Sequence, residues 1–391
     1  MTPHDFRFHL RMTVPTLIVL VVAAGMRMKL GDREPDNRLE RGLEIMGRTG
    51  LSAFEEGELT AGYYEGLLDG AQKTARGSRG LLSNLSSLKP APPDWLSLSQ
   101  TPAVRWRDDF LVYDMQPNID IPMKGDRLQT NRWGYRDRDY EKAKPPGVWR
   151  IALVGSSICM GTGVPIDGSY EALMEASLNA NPPCKSGLKC EIFNMAVPGH
   201  MITQQLEMAT ELAPEFQPDV VLLTVHYLAF GPEWSSHIAT LVQEGRDLKY
   251  PFLKELAEKT RLRKSDSKGK MGTKMGPYRL EVIEDVLRYA QADLEKKGIR
   301  FAVLLVPFPA QKDLLKRQTA EVLRRVSDLN LPVINALPAF DGRTQDELRL
   351  REWDNHPNAL GHRLIFEVMD KQVREDAKLR DVIGGCAASG G

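Results

Sequence analysis

The stretch Val154-Gly155-Ser156-Ser157-Ile158-Cys159-Met160-Gly161 places two hydroxyls at the tip of a glycine-punctuated turn. Ile151-Ala152-Leu153-Val154 leads into it as an unbroken apolar run, the pattern of a strand buried on both faces of a parallel sheet. A helix is expected at Tyr170-Glu171-Ala172-Leu173-Met174. A serine at the carboxyl end of such a strand stands where α/β folds place ligands and chemistry. Far downstream, Asp354-Asn355-His356-Pro357-Asn358-Ala359-Leu360-Gly361-His362 precedes an amphipathic helix running through Leu364-Ile365 and Val368-Met369. Acyl transfer needs a nucleophile, a base to take its proton, a group to orient the base, and donors for the developing oxyanion. Taken singly, each block also has a plain reading: Gly-Ser-Ser is a common turn, and a histidine before Pro357 can cap a helix.

Between these blocks lie Asn194-Met195-Ala196-Val197-Pro198-Gly199 and the strand Pro218-Asp219-Val220-Val221-Leu222-Leu223. In this order they resemble the SGNH (GDSL-like) hydrolase family over roughly Trp149 to Arg374. The segment Asn131-Arg132-Trp133-Gly134-Tyr135-Arg136-Asp137, followed by Pro145-Pro146-Gly147, resembles the lead-in of exported bacterial members. The resemblance implies a three-layer α/β/α fold around a parallel sheet and a serine-dependent ester hydrolase or O-acyltransferase. It would act on an acylated glycan or lipid outside the cytoplasm, with no metal and no organic cofactor. A catalytically weak module that binds a glycan or a membrane partner is the alternative.

Residue by residue, Ser157 matches the family's nucleophile and Ser156 stands where the family has Asp. His356 matches the catalytic histidine. Asp354 is the candidate orienter, two residues before it; the family places the acid three before, where this chain has Trp353, and Glu352 is a weaker candidate. Gly199 matches the glycine whose N–H faces the oxyanion, beside the N–H of Ser157. The family's oxyanion Asn falls on Leu228, followed by Ala229, so the chain is expected either to be slow or to use His226, Tyr227 or a residue from the insertion instead, since imidazole and phenol both donate. Either side chain could equally just line the cleft. His200 is expected at the cleft rim, and His362 in a structural place on its helix.

The elements that position these groups follow from periodicity. Strands are expected at Arg150–Val154, Glu191–Asn194, Val220–Val225, Phe301–Val306 and Val333–Asn335, alternating with helices as in a parallel sheet. Leu280, Ile283, Leu287, Ala290 and Leu294 form a helical stripe that Gly298 ends. Phe110 to Thr130 predicts two or three short strands, broken at Pro117 and Gly125. An insertion, 231–276, carries Lys259, Arg261, Arg263, Lys264, Lys268, Lys270 and Lys274. It reads as a solvated loop or as a basic lid that attracts anionic glycan or phospholipid headgroups.

The chain has 391 residues, enough for one large domain with accessories, and 52 basic against 52 acidic side chains. That balance gives no sign of a nucleic-acid partner. The expected layout is an apolar segment in 1–30, a helical spacer and Pro-rich linker in 31–100, and a β-rich leader in 101–148. The hydrolase-like domain follows in 149–375, with a flexible tail in 376–391. Met12 to Met26 carries no charge and reads as a signal anchor, a cleaved signal or a buried helix. Arg27, Lys29, Arg33 and Arg38 follow it, so the charge count does not fix an orientation. Four cysteines are present, and Cys184 and Cys190 bracket a short Gly- and Ser-containing loop. They read either as a disulfide, implying an oxidising compartment, or as two unrelated thiols.

Overall fold

The computed structural model describes residues 91–184, 187–226, 229, 231–309 and 313–386. The apolar segment at Met12–Met26, the spacer helices, Tyr227 and Leu228 lie outside these residues. Among the described residues no helix is long and apolar enough to cross a membrane.

Four short strands come first: β1 (Val104–Trp106), β2 (Tyr113–Met115), β3 (Asp120–Met123) and β4 (Asp126–Gln129). They pair as two antiparallel ribbons, β1 with β2 and β3 with β4. Pro117 falls between the ribbons, where its missing N–H breaks no ladder. The central sheet contains β5 (Val148–Val154), β6 (Lys189–Asn194), β7 (Val220–Val225), β8 (Arg300–Leu305) and β9 (Val333–Asn335). All pairs are parallel, in the order β6-β5-β7-β8-β9. Every residue of β7 is buried, as is β5 from Arg150 onward, which explains why both read as unbroken apolar runs.

Helices cover both faces. The Tyr170–Ala180 helix packs on the Ala359–Glu375 helix on one side, and the Arg279–Lys296 helix packs on Ile202–Glu207 on the other. This is a three-layer α/β/α fold. Its first strand lies between the second and the third, so the chain reverses direction across the sheet between β6 and β7. The crevice beyond the carboxyl ends of strands at such a reversal is the favoured ligand site of open α/β sheets. Arg150 enters the sheet as a buried cation, and Glu191 at 2.9 Å and the carbonyls of Glu141 and Phe216 at 2.9 and 2.8 Å satisfy it.

Three expectations need correction. The 231–276 insertion is not a loop: it folds into helices Ser236–Glu244, Pro251–Lys259 and Lys268–Met275. Leu253, Leu256, Met271 and Met275 are buried there, which anchors the segment. Lys270 and Lys274 both bind Asp266 at 2.7 Å, and Lys259 binds Glu281 at 3.2 Å, so part of its positive charge is neutralised locally. The 376–391 stretch is not simply a tail, because Ala377–Gly384 is a helix with Leu379, Val382 and Ile383 buried. The Pro-rich linker ends earlier than expected, since Leu98 is already part of the same core as the sheet.

The disulfide is also different. Cys184 is bonded to Cys386, and Cys190 is a buried free thiol. Cys190 lies within β6, paired in register with Trp149, so the sheet holds its side chain inside and away from the loop.

Candidate active site

The turn after β5 is dictated by crowding. A Cβ on Gly155 would stand 2.1 Å from Cys159 Sγ and 3.1 Å from Thr224 Oγ1, so only glycine allows the chain to fold back this tightly. Ser156 then caps a one-turn helix, Ser157–Met160, and Ser157 opens it with its N–H outside the intrahelical ladder.

Two neighbours fix that helix. Asn194, at the end of β6, donates its amide to the Cys159 carbonyl at 2.8 Å. Arg136 donates to the carbonyls of Met160 and Gly161, both at 3.1 Å. The adjacent Asp137 accepts the Asn194 N–H at 2.8 Å. The segment Asn131–Asp137 therefore clasps the serine turn and the end of β6 together. Tyr113, on β2, donates its hydroxyl to the Pro198 carbonyl at 2.9 Å and steadies the turn that carries Gly199. Gly199 is buried and left-handed, with φ 81°.

On the far side, β10 (Arg349–Arg351) and β11 (Asp354–Pro357) form a short antiparallel ribbon. Side chains two apart on a strand share a face. That is why the shortened spacing works here: Asp354 and His356 project together. His356 Nδ1 meets Asp354 Oδ1 at 2.5 Å, and the His356 N–H donates to the same oxygen at 3.0 Å. His356 Nε2 lies 2.8 Å from Ser157 Oγ. The three side chains form a continuous Ser157–His356–Asp354 chain, with Ser157 only 3% exposed.

The second Asp354 oxygen accepts from Lys124 Nζ and from Trp95 Nε1, each at 2.7 Å. Burial alone would raise this carboxyl. The charges of His356 and Lys124, and the hydrogen bonds both make to it, outweigh burial and hold it well below the usual carboxylate range. It is therefore ionised at neutral pH. Neither Lys124 nor Trp95 was expected at the site. Nothing in the sequence marks them, because they are distant from the motif and only the fold brings them to it.

The other histidines have different places. His226 Nε2 meets Ser156 Oγ at 2.5 Å, so that nitrogen is engaged inside the turn and not offered to an oxyanion. Burial, with the nearby His356 charge, lowers its pKa to about 3 and keeps it neutral. His200 is not at a rim. It is fully buried, donates from Nε2 to the Tyr113 carbonyl at 3.0 Å, and burial lowers it to about 4. His362 accepts the Tyr170 N–H at 3.2 Å and stacks on that ring, a structural place. Asp354 is the carboxylate that meets His356. Among the described residues no cluster of His, Cys, Asp or Glu could hold a metal ion.

Chemically, the arrangement can remove a proton from Ser157 through His356 while Asp354 stabilises the imidazolium that forms. No family model matches the chain, and no curated protein matches it. Among solved structures it is similar to a catalytic mutant of Axe2, an acetylxylan esterase from Geobacillus stearothermophilus. The identity is 15%, covering 60% of this chain and 96% of that one, with a TM-score of 0.37. It is also similar to TesA, at 14% identity over 59% of this chain and 99% of that one, TM-score 0.36. A GDSL-like lipase from Bacteroides thetaiotaomicron shows 10% identity over 58% and 87%, TM-score 0.34. The five-stranded parallel sheet between helical layers is a three-layer α/β/α fold.

Proposed function

We propose that this protein is a serine-dependent ester hydrolase or O-acyltransferase. The observation that carries the reading is the 2.8 Å and 2.5 Å pair of contacts that links Ser157 through His356 to Asp354. Ser157 attacks the acyl carbonyl as His356 takes its proton. His356 returns that proton to the leaving alkoxide, and the acyl-serine passes to water or to a sugar hydroxyl. The N–H groups of Ser157 and Gly199 are the donors for the oxyanion.

The substrate class is an acylated glycan or lipid outside the cytoplasm. The resemblance of the lead-in to exported proteins supports it, as does the Cys184–Cys386 disulfide, a bond that persists in oxidising compartments. The uncharged Met12–Met26 segment supports attachment to a membrane. A second reading is a catalytically weak module that binds a glycan or a membrane partner. The leucine at position 228 favours it, since a leucine side chain supplies no oxyanion donor.

Hydrolysis of p-nitrophenyl acetate by the parent and by Ser157→Ala separates the two. Turnover that falls by roughly 10³-fold or more in the variant supports the acyl-serine route. Equal background rates in both proteins would leave the binding reading.

A further inference from the structure

Lys124 sits where a lysine is unexpected. A two-residue turn, Lys124-Gly125, joins β3 to β4, with Met123 paired to Asp126 across it. Both turn residues are left-handed, with φ of 52° and 83°. Tight hairpin turns of this kind favour Asn, Asp or Gly at the first position, because a larger side chain there is strained. The lysine also gives up its water: its side chain is 1% exposed, with the ammonium 2.7 Å from Asp354 Oδ2. Strain and charge burial at one residue are both unfavourable for folding, and such outliers gather at functional sites.

What they achieve is visible at Asp354. One oxygen receives Lys124 Nζ and Trp95 Nε1, both at 2.7 Å. The other receives the N–H and Nδ1 of His356, at 3.0 and 2.5 Å. Each oxygen thus has two donors, which fills the capacity of a carboxylate and removes its freedom to rotate.

We propose that the β3–β4 turn and Trp95 form a clamp on Asp354, and that Lys124 is a positioning residue that sets the pH at which the Asp354–His356 pair takes up a proton. The inference rests on the reading of Ser157 as nucleophile. Lys124 lies on the side of Asp354 away from His356, and its charge opposes a second positive charge on the pair. Removing it raises the proton affinity of the pair, whichever member holds the proton. The other groups facing the pair leave this sign unchanged. His226 and His362 are neutral, each lowered to about 3 mainly by burial. Ser157 carries no charge, and Arg351, whose guanidinium lies over the Trp95 ring at 5.8 Å from its centroid, is a cation of the same sign as Lys124.

The test uses the full chain carrying Lys124→Asn, which suits the left-handed turn while removing the cation. Lys124→Met, which keeps the bulk of the stem, serves beside it. For each variant kcat on p-nitrophenyl acetate falls by about tenfold or more, KM stays within about twofold, and the acid limb of kcat/KM moves up by roughly half a pH unit or more. Lys124→Arg keeps the charge and leaves the limb where it was. Trp95→Phe lowers kcat and moves the limb up by less than the neutral Lys124 variants do, because it removes a donor but no charge. An unmoved limb with parental kcat in both neutral variants overturns the proposal. The titration of the His356 ring, followed by NMR, gives the same answer without turnover: its midpoint rises in the neutral variants, and coincident curves overturn the clamp. Absence of Ser157-dependent turnover in the parent would instead sink the ester reading and leave the ring titration to decide the clamp.

Discussion

Asp354 and Glu171 are both buried carboxyls, and their surroundings push them in opposite directions. Asp354 has a cation and an imidazole at hydrogen-bond distance and stays ionised. Glu171 lies with Asp137, Arg136, Arg138 and Met160 around one cavity. Burial raises it well above its ordinary 4.5, and the nearby Asp137 adds to the rise; the Asn194 and Ser169 bonds offset only part of this. Asp137 is itself pushed up to about 7, chiefly by burial. The folded chain therefore holds a proton here more tightly than the unfolded chain does. That contribution to stability is complete below about pH 4.5 and is lost as pH rises toward the folded-state value. Glu171→Gln keeps an acceptor for Ser169 and Asn194 and cannot ionise. We expect the variant to match the parent near pH 4.5 and to exceed it at pH 8 by at least about 1 kcal/mol in urea unfolding. A parent-like decline with pH in the variant would assign the slope to other groups. At this scale the sequence was partly legible. Ser157 and His356 could be named by motif, and Asp354 despite its shortened spacing. Lys124 and Trp95 were not legible, because a hairpin lysine and a tryptophan in a Pro-rich stretch carry no local sign of what they will touch.

Elements were more legible than residues. The five sheet strands fall within two residues of where their apolar runs end, since a strand buried on both faces leaves little room for polar interruption. Of the 231–276 helices, Pro251–Lys259 and Lys268–Met275 were missed because lysines and glycines dilute their apolar stripes, which bury Leu253, Leu256, Met271 and Met275. The turn after β5 gives the sharpest test of how one element sets the chemistry. A methyl on Gly155 collides with Cys159 Sγ at 2.1 Å and with its Cβ at 2.8 Å, and Cys159 is wholly buried and cannot swing away. Gly155→Ala is therefore expected to cost about 1–3 kcal/mol and to displace Ser157 from His356, lowering kcat more than it raises KM. Adding Cys159→Ala removes the sulfur but not the Cβ contact, so it should restore part of both stability and rate. Additive losses in the double variant would show that the collision is not what shapes the turn.

At the scale of the whole molecule, the chain closes on itself through a bond that sequence proximity could not suggest. Cys184 precedes β6 and Cys386 follows the Ala377–Gly384 helix, 202 residues apart in the chain and 5.7 Å apart between Cα atoms. Cys190 looked like the natural partner by distance along the chain, but it belongs to β6, where the sheet buries its side chain and burial raises its thiol. A cross-link that closes so long a loop constrains the unfolded chain strongly, and its loss is expected to cost about 2–4 kcal/mol. Cys184→Ser and Cys386→Ser should each lower the unfolding midpoint by the same amount. Reductant should lower the parent to that level and leave the variants unmoved. A non-reducing digest of protein isolated under alkylating, reductant-free conditions should join the Cys184 peptide to the Cys386 peptide. Cys159 and Cys190 should accept alkylating reagent only after unfolding. A digest that links Cys184 to Cys190 would overturn the pairing. A fully reduced pair in protein from its native compartment would remove the main structural support for an extracytoplasmic location, because a disulfide between two accessible segments persists only where the surroundings are oxidising.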